Sequence, residues 1–225
     1  MVKIDPDIPL DIASLIGCGV MTGAGAALNT AKVTPGSSVI VYGAGGVGIA
    51  AIQGARIAGA AEIVAVDLND EKLDDARRFG ATHAVKPEDV DGAKLEITGG
   101  DGFDFALECI GRPLTMRASY DAVRRGGTAC IVGVGRAEEM VEFSAFELFF
   151  MEKTLVGSYY GGTDVRSDFH KLLRLYKQGR LDLEGMITRR IKIDEINPAL
   201  EAVRKGEVIL SLIHISEPTR RRGIS

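Results

Sequence analysis

The residues best suited to binding a phosphate group form a short glycine-rich segment, Gly43-Ala44-Gly45-Gly46-Val47-Gly48. Its spacing is G-x-G-x-x-G, and it lies between an apolar run at 39–42 and a helix-period segment that continues to Ile57. There the first glycine permits a tight turn, the second lets the backbone approach a diphosphate, and the third lets the helix pack against a sheet. Backbone amides at the start of the helix would bind the anion. Taken alone, the motif also fits a structural turn in an unrelated α/β protein.

A carboxylate after the next apolar run favours the phosphate-binding interpretation. Asp67 comes 19 residues after Gly48, where a dinucleotide-binding protein uses a carboxylate to accept hydrogen bonds from the adenosine ribose hydroxyls. The same charge would repel a 2′-phosphate, and Leu68 beside it supplies no positive charge, so NAD is favoured over NADP. Asp67 is alternatively a helix N-cap, but Asn69 and Asp70 are available for that role. We therefore predict a dinucleotide site.

Strands and helices must position the glycine segment and Asp67. Short apolar runs that alternate with segments of helical periodicity indicate where these elements lie. Fully apolar strands separated by helices are typical of a parallel sheet with helices on both faces. We predict an α/β fold with a doubly wound six-stranded parallel Rossmann sheet, whose ligand lies at the carboxyl ends of the strands. The predicted strands are residues 39–42, 62–67, 83–85, 103–109, 128–134 and 154–159.

Two more helices are predicted after the sixth strand. In the first, Thr163 or Asp164 is the N-cap and Gly179 ends the helix. In the second, Asp194 is the N-cap and Gly206 ends the helix. The inward-facing residues of the second helix would be Ile196, Leu200 and Val203.

The composition is that of a folded globular chain. The chain has 225 residues, a net charge of −4, 46% hydrophobic residues and 26% charged residues, which excludes intrinsic disorder. The acidic balance argues against nucleic acid or an anionic membrane as the chief partner. Glycines and polar residues interrupt the uncharged stretches before residue 56, so we expect buried elements there and no membrane span. Three scattered cysteines and an acidic N-terminus without signal-peptide features favour a cytoplasmic location.

Four segments together resemble the zinc-dependent alcohol dehydrogenases of the medium-chain family. These segments are residues 15–23, the glycine loop at 43–48, residues 67–72 and residues 108–112. They are most similar to the branch that includes class III, the thiol-adduct formaldehyde dehydrogenases. The similarity runs from about Val2 to Ile209.

The resemblance implies roles for particular residues. Cys18 would be a thiolate ligand of a catalytic zinc, which acts as a Lewis acid on the alcohol while hydride passes to NAD. Without the resemblance, Cys18 would be interpreted as a small buried residue, as we interpret Cys109 and Cys130. The implied cofactor contacts are Thr22 at the nicotinamide, Asp67 and Lys72 at the adenosine ribose, Ile110 and Arg112 beside the adenine, and Val132, Gly133 and Val134 at the nicotinamide amide.

The resemblance also implies that part of the enzyme is missing. A catalytic zinc needs three protein ligands, and the other two would come from a preceding domain. We therefore expect a fragment that does not oxidise alcohols alone and does not retain zinc. The predicted division is a linker and remnant of the catalytic domain at 1–19, the NAD-binding domain at 20–162, and the C-terminal part of the catalytic domain at 163–209.

The end of the chain departs from the family pattern. Leu210 stands where the family has an arginine that contacts the cofactor pyrophosphate. Residues 210–220 resemble the translation of a transposase-end sequence used in sequencing libraries. We predict that residues 210–225 are a foreign read-through tail. The alternative is a native basic arm carrying Arg220, Arg221 and Arg222.

Three functions remain open at this point. The first is a truncated alcohol dehydrogenase, which binds NAD and, when complete, a small alcohol or thiol-adduct substrate. The second is a non-catalytic NAD-binding or dimerisation module, since the predicted sixth strand at 154–159 would pair edge to edge in a homodimer. The third is a zinc-free medium-chain reductase, which the Gly-Cys-Gly at 17–19 disfavours.

Overall fold

The computed structural model describes residues 2–213, which form an α/β fold around a six-stranded parallel sheet. The strand order is β3-β2-β1-β4-β5-β6, so the chain builds outward from β1 in one direction and then returns to build outward from β4 in the other. This order is that of a doubly wound Rossmann sheet, and it confirms the predicted fold. The strands are β1 Ser38–Tyr42, β2 Glu62–Val66, β3 His83–Val85, β4 Phe103–Glu108, β5 Val123–Ile131 and β6 Thr154–Gly157.

The helices alternate with the strands and continue after them. The described helices are α1 Leu10–Thr30, α2 Gly46–Ala58, α3 Asp70–Arg78, α4 Val90–Thr98, α5 Pro113–Ala122, α6 Ala145–Phe150, α7 Val165–Lys177 and α8 Ile196–Lys205. Helix α1 contains two π-helical segments, Ile16–Val20 and Ala26–Thr30.

The register of the sheet brings the ends of all six strands to one line. The residues that align across it are Val85, Val66, Tyr42, Glu108, Ile131 and Gly157. Every loop that follows a strand therefore begins at the same edge of the sheet. This edge receives the glycine loop after β1 and Asp67 after β2, as the sequence predicted.

Each face of the sheet carries its own apolar core. Val39 and Val41 of β1 face the core made with α1, α2 and α3, whereas Ile40 and Val64 face the core made with α5. Strand β5 is the one strand whose position differs substantially from the prediction, because it begins at Val123 and ends at Ile131. Residues 132–134 consequently lie in the loop after the strand.

Helix α1 has the length and apolar composition of a membrane span, yet it packs inside the domain. The most apolar window of this helix is 56% buried, and Ile16, Val20 and Met21 have no exposed surface. Glycines allow this packing: a Cβ atom added at Gly23 would lie 2.1 Å from the backbone oxygen of Val47. The helix backbone therefore lies directly against the glycine loop, as a core helix.

The C-terminal helices confirm one predicted cap and correct another. The Asp164 carboxylate accepts a hydrogen bond from the Arg166 amide at 3.1 Å, so Asp164 is the N-cap of α7. The predicted cap Asp194 is wrong, because it lies inside a short 3-10 turn in which the Lys192 amide donates to Glu195 Oε2 at 2.8 Å.

Two of the three residues predicted to face inward on α8 are exposed, and Ile196 is half-buried. Leu200 and Val203 are each 51% exposed, whereas Ala199 and Ala202 are buried. The helix is thus packed through its small alanine side chains, and the larger residues lie on the adjacent face.

A two-stranded parallel sheet ends the described chain. Its strands are β7 Ile187–Ile191 and β8 Leu210–Ile213. The first four residues of the predicted tail are therefore paired with β7, and the remainder, 214–225, lies outside the described residues. The proposed division of the chain into domains stays a prediction.

The close approach of α1 to the loop predicts the effect of adding one methyl group. Gly23→Ala should reduce the free energy of unfolding by about 1–3 kcal/mol, because its Cβ would overlap the Val47 oxygen and lie 2.8 Å from the Ala50 Cβ. Gly92→Ala is the matched control, since Gly92 lies in α4 with no atom within 4 Å of an added Cβ. The control should stabilise by about 0.5–1 kcal/mol in urea unfolding. Equal effects of the two variants would contradict the packing argument.

Candidate cofactor site

The glycine loop joins β1 to α2 in a conformation that glycine makes possible. Gly43 has a φ of +91°, and a Cβ atom added at Gly48 would lie 1.7 Å from the Gly43 oxygen. In contrast, a Cβ added at Gly45 would meet no atom within 4 Å, so the backbone there is open to a ligand. Helix α2 begins at Gly46, and its first backbone amides are free of partners within the helix. The loop can therefore bind an anion through amides and the helix dipole.

Asp67 lies directly beside this loop. Its Oδ2 accepts a hydrogen bond from the Ala44 amide at 2.8 Å, and its Oδ1 accepts one from the Asn69 amide at 3.1 Å. Asn69, not Asp67, is the N-cap of α3, because its side chain accepts from the Glu71 amide at 2.8 Å. The carboxylate keeps further lone pairs for the hydroxyls of a ribose bound beside the loop.

Lys72 lies at the start of α3, where the end of α8 meets it. A Cβ atom added at Gly206 would lie 3.3 Å from Lys72 Nζ, and the Asn69 side-chain amide donates to the Gly206 oxygen at 3.4 Å. The C-terminal helix is thus in contact with the same corner of the sheet as Asp67.

Glu108 organises the loop after β4 and was missed as a site residue by sequence reasoning. The side chain is fully buried, and its Oε1 accepts hydrogen bonds from the amides of Ile110 at 3.0 Å and Gly111 at 2.8 Å and from the Thr115 hydroxyl at 2.7 Å. Its Oε2 has no hydrogen-bond partner among the described residues. A signal was present in the sequence, since a glutamate at the end of an apolar strand must find donors when buried.

The same glutamate connects two loops. Its backbone oxygen accepts from the amides of Val132 at 2.8 Å and Gly133 at 2.9 Å. A Cβ atom added at Gly133 would lie 2.1 Å from the Gly111 nitrogen, so the loops after β4 and β5 touch backbone to backbone. Val134 is 91% exposed at the rim of this contact.

The residues expected beside the adenine lie between these loops. The Ile110 side chain packs on the glycine loop, since a Cβ atom added at Gly43 would lie 2.8 Å from its Cγ1. Arg112 is exposed and takes the N-cap position of α5. The structure therefore brings Ile110 to the loop and leaves Arg112 at the surface.

Cys18 and Thr22 lie on α1. Cys18 is exposed within the first π-helical segment, next to Gly17, whose oxygen accepts a hydrogen bond from the Tyr160 hydroxyl at 2.6 Å. Among residues 2–213 there is no group of three or more His, Cys, Asp or Glu side chains arranged to hold a metal ion. A catalytic zinc needs three protein ligands, so the described residues alone do not fit one.

Of the other two cysteines, Cys130 is buried in the core as expected, whereas Cys109 is half-buried and packs against it. Cys130 is buried in β5, and burial raises the pKa of its thiol to about 12. The pKa of the Cys109 thiol also lies well above its ordinary value, chiefly because of burial. Neither thiol is therefore ionised at neutral pH.

Leu210 covers part of the glycine loop. A Cβ atom added at Gly46 would lie 3.1 Å from Leu210 Cδ2 and 3.3 Å from the Ile209 oxygen. An apolar side chain thus lies beside the start of α2, where a cation would complement a bound diphosphate.

Comparison with known proteins decides the family. The family model described as zinc-binding dehydrogenase matches residues 46–178. The chain belongs to the zinc-binding dehydrogenase family. It is 37% identical over 222 residues to alcohol dehydrogenase 2 of Zea mays, covering 96% of this chain and 58% of that relative. It is 41% identical over 212 residues to alcohol dehydrogenase 3 of Hordeum vulgare, covering 92% of this chain and 55% of that relative.

Solved structures share the architecture of this dehydrogenase chain. Benzyl alcohol dehydrogenase from Acinetobacter calcoaceticus superposes with a TM-score of 0.91 at 35% identity, covering 96% of this chain and 59% of that one. A protein from Sinorhizobium meliloti described as a zinc-binding dehydrogenase bound to NADP has a TM-score of 0.76 at 27% identity, covering 88% of this chain and 58% of that one. The chain spans somewhat more than half the length of the relatives it matches, and the matched part is the NAD-binding region of an alcohol dehydrogenase.

The contacts of Glu108 predict a specific loss of stability. Glu108→Leu should lower the free energy of unfolding by about 2–4 kcal/mol, because it leaves the buried amide of Gly111 and the part-buried amide of Ile110 without an acceptor. Glu108→Gln keeps a carbonyl oxygen for the same donors and should lose about 1 kcal/mol or less. Chemical denaturation measures both values. A leucine variant as stable as the glutamine variant would contradict the acceptor role.

Proposed function

We propose that the chain is the NAD-binding part of a zinc-dependent alcohol dehydrogenase that moves hydride from an alcohol carbon to NAD. The observation that carries this proposal is the hydrogen bond from the Ala44 amide to Asp67, which holds the ribose-binding carboxylate against the diphosphate-binding loop. NAD, when bound, supplies the hydride acceptor. The protein supplies the amides of 43–48 for the diphosphate and Asp67 and Lys72 for the adenosine ribose.

The remaining proposed contacts follow the edge of the sheet. Ile110 and Arg112 would enclose the adenine. The nicotinamide would be enclosed by Thr22 on one side and by Val132, Gly133 and Val134 on the other. Helix α1, which carries Thr22, packs on the glycine loop, and residues 132–134 follow β5. NAD is preferred over NADP in this proposal, because the Asp67 carboxylate would repel a 2′-phosphate.

A zinc site in the complete protein would take Cys18 as one ligand. The described residues offer no further cluster, so we expect residues 2–213 to bind no stoichiometric zinc and to produce no NADH from alcohols. That outcome also fits a non-catalytic NAD-binding module. An alcohol or a hydroxymethyl-thiol adduct is the proposed substrate of the whole enzyme, following the class III-like segments of the sequence. We propose a cytoplasmic location, which the three scattered and unpaired cysteines support.

The apolar edge of the sheet supports a homodimer. Strand β6 is one of the two edge strands of the sheet, and Leu155 is 42% exposed on it. The neighbouring helix α6 exposes Phe146, Phe149 and Phe150. A second copy that pairs β6 with β6 would cover this surface and satisfy the outward-facing backbone groups.

The Leu210 contact predicts a gain of cofactor affinity. Leu210→Arg should tighten NAD binding about ten-fold, because a guanidinium beside Gly46 would form charge-assisted hydrogen bonds with the diphosphate. Leu200→Arg is the matched control, since it adds the same charge on the exposed face of α8 and should change the affinity little. Isothermal titration calorimetry measures the dissociation constants. No NAD binding to the unmodified chain at millimolar concentration would overturn the proposed function.

The dimer proposal has a separate test. Leu155→Lys should halve the mass measured by light scattering, because a charge on the edge strand opposes its pairing with an identical strand. Leu114→Lys introduces the same charge at an exposed leucine of α5 and should leave the mass at the dimer value. An unmodified chain that remains monomeric at high concentration would contradict the dimer.

A further inference from the structure

Lys86 lies close to the turn that carries Asp67, although the sequence pattern did not connect this lysine with the proposed ribose site. Lys86 follows β3 directly, and the register pairs Val85 with Val66, so Lys86 comes next to Asp67 across the edge of the sheet. The Asp67 amide donates to the Val85 oxygen at 3.4 Å, which continues the pairing to this level. The chain therefore places a lysine at the same level of the sheet edge as the proposed ribose carboxylate.

The ammonium group of Lys86 is held in place by two contacts. Nζ donates to the Leu68 oxygen at 2.7 Å and lies 2.7 Å from Asp70 Oδ1. The Lys86 side chain is 27% exposed, whereas that of Asp70 is 85% exposed. Solvent therefore screens the interaction of Asp70 with Lys86, and an incoming anion can displace Asp70 or share the Lys86 ammonium group with it. The Lys86 side chain is the less exposed member of the pair.

The position of this cation bears on the difference between NAD and NADP. The extra phosphate of NADP is attached to the 2′-oxygen, one of the hydroxyls that Asp67 is proposed to bind. It would lie at the turn formed by residues 67–70, whose Leu68 carbonyl already touches Lys86. A 2′-phosphate placed at this turn would meet the carboxylate of Asp67 and lie near the ammonium group of Lys86.

We propose that Lys86 is a specificity-determining residue of the dinucleotide site, which binds a 2′-phosphate once the Asp67 carboxylate is removed. This proposal rests on the proposed NAD-binding function. Asp67 sets the preference for NAD in the unmodified chain because its charge lies closest to the ribose. Lys86 sets how far that preference reverses, because the fold fixes its ammonium group at this turn in addition to that of Lys72 at the same corner.

The test uses fragments of the cofactor and does not depend on catalysis. The dissociation constants of 5′-AMP and adenosine 2′,5′-bisphosphate are measured by calorimetry for the full chain, for Asp67→Asn and for Asp67→Asn combined with Lys86→Met. In Asp67→Asn, the affinity for the bisphosphate relative to 5′-AMP should rise about ten-fold. The added Lys86→Met should abolish that rise while 5′-AMP still binds.

The matched control combines Asp67→Asn with Lys94→Met. The Lys94 side chain is 29% exposed and pairs with Asp91 on α4, away from the ribose corner. This control should keep the ten-fold rise. As a second measurement, salt near 1 M should reduce the rise in Asp67→Asn itself, because a contact between charges is screened at that ionic strength.

The outcomes separate this proposal from the one on which it rests. A rise that persists in the Lys86→Met combination would overturn the role of Lys86 and leave the cofactor site intact. Loss of the rise in the Lys94→Met control would overturn it too, since any lysine would then serve. Absence of 5′-AMP binding to the unmodified chain would overturn the dinucleotide site itself, and the role of Lys86 with it.

Discussion

The hydrogen bond between the Ala44 amide and the Asp67 carboxylate is the constraint on which the cofactor site depends. It joins the loop after β1 to the turn after β2, so the groups proposed for the diphosphate and for the sugar are held at a fixed separation. The bond forms because all strands end on one line, and it would be impossible if the register of β1 and β2 shifted by one residue. The glycines serve this same constraint, since they let the loop turn tightly enough to bring Ala44 to the carboxylate.

The features that could be predicted from the sequence are those that produce a recognisable pattern within a short segment of the chain. Apolar runs of strand length alternate with helical periods, and the glycine spacing and Asp67 follow two of those runs. From these, the sheet, its parallel topology and the pairing of loop with carboxylate could be predicted. Asn69 was also predictable as a cap, because its side chain bonds to a backbone amide two residues away.

The features that were missed arise from contacts between distant segments. Glu108 holds loops after two different strands, and Lys86 reaches its position through the pairing of β3 with β2. Two residues of the predicted inward face of α8 were wrong, because hydrophobicity favours the large Leu200 and Val203, whereas the fold buries the small alanines. The end of β5 was misplaced for a related reason: an apolar pattern continues through Val134, but the backbone turns to meet Gly111.

The contact between the end of α8 and the ribose corner has a thermodynamic consequence. Asn69 and Lys72 touch Gly206, so the last described helix and the adenosine side of the site share one small region of backbone. If a ribose bound at Asp67 stabilises this region, as the proposed function implies, the linkage is reciprocal, and each event changes the equilibrium of the other by the same free energy. A bound ribose would then suppress fraying of α8, and a loosened α8 would weaken ribose binding by the same amount.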